Sequence, residues 1–84
     1  MVKNWMIEGF MVERLNLSGN ELVLYALLWK ESNKGEKVVE GDYTAISQRM
    51  GITIPTMYNC IRKLQERGYV EQVEKGIYRV AQVA

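Results

Sequence analysis

Asn59, Arg62 and Lys63 lie within about one helical turn of each other, in a stretch bounded by Thr53 and Gly68. Their chemistry suits contact with base edges and phosphates. An asparagine amide can pair with the adenine edge, and an arginine guanidinium with guanine or phosphate. Thr56 and Tyr58 carry hydroxyls that reach phosphate from the start of a helix. The backbone amides around Ile54 to Thr56 also attract phosphate. Lys63, Arg49 and Lys75 suit backbone neutralisation, which sets affinity and register rather than sequence. Arg79 can assist from further along the chain. The candidate contact set is therefore Arg49, Thr53, Pro55, Thr56, Tyr58, Asn59, Arg62, Lys63, Lys75 and Arg79.

Each of these residues has a plainer role to set against that one. Arg62 and Lys63, taken singly, are solvated charges that keep a helix soluble. Tyr58 can pack against a neighbouring hairpin instead of facing a ligand. Asn59 is a poor helix former, so it is less expected as mere filler on a helix surface.

Composition narrows the alternatives. The chain has 84 residues, no histidine and a single cysteine. That length suits one small domain, which buries roughly 60–65% of its unfolded surface. A Ser-His or Cys-His catalytic pair is impossible within one chain, and a zinc site would need carboxylates plus the lone thiol. No Asp/Glu pair sits on a recognisable scaffold, so no enzymatic activity, metal or cofactor is expected. Cys60 reads as a small buried hydrophobe. No apolar run approaches the ~20 residues that span a bilayer. The start, Met1-Val2-Lys3-Asn4-Trp5, lacks the features of a signal peptide, and a cytoplasmic chain is expected.

A net charge of +1 conceals an uneven distribution. Residues 1–43 hold five basic and seven acidic side chains. Residues 44–70 hold Arg49, Arg62, Lys63 and Arg67 against Glu66 alone. The positive excess coincides with the candidate contact set, which favours a polyanionic partner.

These side chains need elements to hold them. Residues 1–17 read as an arm followed by a short helix from Gly9 to Leu15. Ser18-Gly19-Asn20-Glu21 fits a capping box opening a helix to about Glu31, with Leu17 and Leu22 placed as a hydrophobic staple. Leu22 to Trp29 is a run of eight hydrophobic residues. It suits either a helix packed on several sides or one with a face left for a partner, with Trp5, Phe10, Leu24, Leu28 and Trp29 as candidate interface anchors. Glu36 to Glu40 is a short β candidate. Asp42 or Thr44 can cap a helix from Tyr43 to Met50, stopped by Gly51. Thr53 then caps a helix with Pro55 in its first turn, closed by Gly68. Tyr69 to Val73 and Ile77 to Val80 flank Glu74-Lys75-Gly76 as a hairpin. At about 100° per residue, Met57, Ile61 and Leu64 form one stripe with Cys60 beside it. Pro55, Asn59, Arg62 and Glu66 occupy the opposite face.

The order is helix, turn, helix, hairpin. Residues 44–80 resemble the winged helix-turn-helix superfamily of bacterial and phage regulators, through Ile46-Ser47-Gln48-Arg49-Met50-Gly51, Thr53-Ile54-Pro55-Thr56-Met57-Tyr58 and Leu64-Gln65-Glu66-Arg67-Gly68-Tyr69-Val70. Gly9-Phe10-Met11 and Leu17 to Leu22 look like the leading segment of phage and mobile-element proteins, some of them replication initiators. The resemblance implies an α+β fold, mostly α, with a three-helix core and a short antiparallel sheet. Its parts would be a leading segment 1–17, a core helix 18–32, a helix-turn-helix 42–68 and a wing 69–80. It also implies sequence-specific double-stranded DNA binding, usually as a homodimer, in transcription or replication. The rival reading is a winged helix used for protein assembly without strong DNA binding. A small-molecule effector is left open.

Overall fold

The computed structural model describes residues 7–81. Chain order is α1 Gly9–Glu13, α2 Gly19–Glu31, β1 Val39–Glu40, α3 Tyr43–Met50, α4 Ile54–Glu66, β2 Val70–Glu74 and β3 Ile77–Val80. The three strands form an antiparallel sheet in the order β1-β3-β2, so the last strand is central. Val39 pairs with Tyr78, and Val70 with Val80. These four side chains are buried on the core face of the sheet.

The strongest local signals sit at α3 and α4. The Asp42 carboxylate accepts a 2.8 Å hydrogen bond from the Ala45 amide and so starts α3. Replacing Asp42 with alanine is expected to lower stability by about 1 kcal/mol in urea denaturation, the usual effect of losing such a cap. Gly51 ends α3 at φ 73°, where a Cβ would be strained. Thr53 caps α4 by accepting from the Thr56 amide at 3.3 Å.

Three expectations need correction. The capping box at Ser18 does not form, because its hydroxyl makes no cap bond. Gly19 follows at φ 60°, so the chain enters α2 through a left-handed bend, and the first bond runs from the Leu22 amide to the Ser18 carbonyl at 3.3 Å. The β candidate at Glu36 shortens to Val39–Glu40. Buried Ser32 explains this. Its hydroxyl donates to the Trp29 carbonyl and accepts from the Gly35 amide, while its carbonyl takes the Lys37 amide. Lys37 is thereby tied into the turn rather than the sheet.

The third correction concerns the apolar run of α2. Leu24 and Leu28 have no exposed surface, so they are core residues and not available to a partner. Helix α4 packs on α2, and α1 adds cover from another side. Phe10 meets Trp29 edge-on at 5.0 Å and Tyr25 at 6.4 Å, and the Trp29 indole donates to Glu8 at 2.9 Å. Phe10 and Trp29 thus work within the domain while remaining partly exposed. Trp5 lies outside the described residues. Tyr25 is fully buried, its hydroxyl has no partner among the described residues, and burial pushes its pKa up to about 12.

Candidate nucleic-acid interface

Helix α4 is anchored through Met57, Cys60, Ile61 and Leu64, all buried. This apolar stripe fixes what faces outward. Ile54, Pro55, Tyr58, Asn59, Arg62, Lys63 and Glu66 are all exposed. The helix therefore presents a continuous outer face from its first turn to its last, and the structure brings together Pro55, Tyr58, Asn59, Arg62 and Lys63 on it. Thr53 and Thr56 sit at its head, with the Thr53 hydroxyl donating to that of Thr56 at 2.9 Å.

The flanks of this face differ. On one side Thr56, Asn59, Cys60 and Lys63 line a shallow polar cleft against Ser18, Asn20 and Glu21 at the start of α2. Burial and nearby Glu21 raise the Cys60 thiol pKa, with Lys63 opposing, so the thiol stays protonated. On the other side Tyr58 meets Tyr43 edge-on at 5.5 Å, and Tyr43 stacks on Tyr78 of β3 at 6.3 Å. Tyr58 thus reaches toward the sheet only through Tyr43 and keeps 49% of its surface exposed. Tyr78 is held neutral, its pKa raised by burial and by Tyr43 and Asp42.

The cations are less available than their number implies. Arg62 faces Glu66 at 3.7 Å along the helix. Arg79 faces Glu71 at 3.4 Å across the hairpin, on the side away from the core. Arg49 pairs with Glu31 of α2 and lines a separate groove with Val38 and Glu40, so it does not join the α4 face. Such exposed pairs are weak, about 0–1 kcal/mol each, and can yield to phosphate. Arg67 is spent differently. Its guanidinium donates to the carbonyls of Leu15 and Asn16 and lies over the Tyr69 ring at 5.0 Å. Among the described residues, Lys63 and Lys75 are exposed and have no ion-pair partner. Lys75 stands at the hairpin turn beside Gly76.

Two residues of this surface were not among the sequence candidates. Ile54 is 44% exposed at the head of α4. Its signal in the sequence is its position four residues before Tyr58, on the same side of the helix. Tyr43 backs Tyr58 from another element, a contact that no local spacing reveals.

Residues 40–74, from the end of β1 through β2, match the family model of the IclR helix-turn-helix domain. The domain is a winged helix-turn-helix. In that fold α3 and α4 are the two helices of the motif, and β2 and β3 form the wing. The match supports DNA binding by a domain of the transcriptional-regulator type. Comparison with curated proteins and with solved structures finds no match. Among the described residues, no three His, Cys, Asp or Glu side chains gather as a metal site, and no helix is long and apolar enough to cross a membrane.

Proposed function

We propose that this winged helix-turn-helix binds double-stranded DNA sequence-specifically, as the DNA-reading domain of a transcriptional regulator. Helix α4 enters the major groove, and Lys75 at the hairpin turn meets the flanking backbone. The observation that carries this reading is the outer face of α4. It is exposed along its whole length, bears Asn59, Arg62 and Lys63, and lies within the segment that matches the IclR domain. Functioning as a homodimer sets two such helices ~34 Å apart, one DNA turn. It also doubles a modest positive charge. The likeness of Gly9-Phe10-Met11 and Leu17 to Leu22 to phage and mobile-element proteins supports a setting of that kind, in transcription rather than replication, given the regulator-type match.

The test is fluorescence anisotropy with a pool of short labelled duplexes across a salt series. Binding is expected to weaken steeply as salt rises, with a logarithmic slope of about −0.9 for each phosphate neutralised. Arg62→Ala is expected to weaken binding to all duplexes alike and to make the slope shallower by about one.

A second reading is favoured by the engagement of Arg49, Arg62 and Arg79 with carboxylates and of Arg67 with carbonyls. On that reading the domain is an assembly module. Absence of duplex binding at low salt, with self-association in light scattering, would select it.

A further inference from the structure

We propose that the leading half of α4 is built to read A·T base pairs, with Ile54, Pro55 and Tyr58 as an apolar ridge for thymine methyl groups and Asn59 as the adenine contact. This rests on the reading that α4 enters the major groove. In helix-turn-helix docking, the residues near the start of the second helix reach the base edges. Here that segment is Ile54 to Ile61, and it contains no charged residue. Guanine is most often read by Arg or Lys, and cytosine by Asp or Glu. None of these four types is present in the segment.

What the segment does expose fits the other pair. Thymine is distinguished in the major groove by its C5-methyl group, which takes apolar contacts, and adenine by adjacent acceptor and donor atoms that match a carboxamide. Ile54 and Tyr58, one turn apart, keep 44% and 49% of their surface exposed. Pro55 and Asn59, also one turn apart, are exposed beside them. Tyr58 is backed by Tyr43, which rests on the fully buried Tyr78. Its ring is therefore held in place before any ligand arrives, which lowers the ordering cost of contact. The nearest cations sit further along the helix. Arg62 faces Glu66 toward the C-terminal end, and Lys63 lies in the cleft beside Glu21. Both lie beyond the uncharged segment, and on this reading they meet the backbone.

The experiment selects duplexes from a random library with the full chain at low salt. It then compares the selected duplex with one in which deoxyuridine replaces thymidine, removing only the methyl groups. The expected result is a selected core rich in A·T pairs and a loss of about fourfold in affinity for each contacted methyl removed, the factor for one methylene-sized group. Ile54→Ala should bind the thymidine duplex more weakly and respond less to deoxyuridine. Its exposed position leaves folding intact. Equal affinity for both duplexes, or a G·C-rich selected core, would overturn this inference and leave DNA binding standing. Failure to select any duplex would overturn the DNA-binding reading itself, and this inference with it.

Discussion

Replacing Arg67 with alanine is expected to destabilise the domain by about 2–3 kcal/mol while leaving the DNA affinity of the folded protein nearly unchanged. By sequence position Arg67 is one more cation at the end of the exposed helix α4. In the fold it is a tether. Its guanidinium donates to the Leu15 and Asn16 carbonyls, holding the segment after α1 against the end of α4. The Tyr69 hydroxyl donates to the same Leu15 carbonyl at 3.2 Å, beneath the Arg67 stack. Hydrogen bonds from a charged donor contribute about 1.5–3 kcal/mol each, and the cation–π contact about 0.5–1. Partial exposure and the 3.3 Å length of the Asn16 bond bring the total below the sum of these ranges. A domain of this size has about 4–12 kcal/mol in all, so the loss is a large fraction. Urea denaturation measures it directly. Arg67→Lys should recover little, because an ammonium cannot present the planar fork. An unchanged urea midpoint together with weaker DNA binding would show that Arg67 is a phosphate contact instead.

Asn59→Ala is expected to move two observables in opposite directions. Discrimination at one base pair of the target should fall by about 1–3 kcal/mol, the range for a bidentate contact. Stability should rise slightly, by a few tenths of a kcal/mol, since alanine is the better helix former and Asn59 is exposed. Anisotropy on the selected duplex and its single-position variants measures the first effect, and thermal unfolding the second. A duplex carrying 7-deazaadenine at the contacted position adds a check, because it removes one of the two atoms the amide pairs with. The wild-type protein should lose affinity for it, and Asn59→Ala should not. Undiminished discrimination by the variant would remove Asn59 from the site.

The fold separates residues that look alike in the sequence. Arg62 lies in the second half of α4 and Arg67 caps its end, and both contribute to the positive excess of residues 44–70. Only Arg62 remains on the outer face. Leu24 and Leu28 were equally open to two roles, and the cover supplied by α1 and α4 makes them core.

What the sequence determined by itself was the order of starts and stops from α3 to Val80, though the fold alone chose Asp42 over Thr44 as the α3 cap. Asp42, Gly51, Thr53 and Pro55 act on backbone groups within a few residues, through hydrogen bonds and allowed dihedral angles. The face of α4 was legible for the same reason, because the period of its apolar residues is a local property. Tertiary structure alone decided how the charges are spent and how Tyr58 is supported. Arg49 reaches Glu31 across 18 residues of chain, and Arg67 reaches Leu15 across 52. Ser18 shows the limit from the other side. Its motif was local and correct in spacing, yet the left-handed Gly19 turns the chain so that no cap bond forms. Local rules act through bonds and near neighbours. Pairing between distant side chains depends on how the helices pack, and no short stretch of residues contains that information.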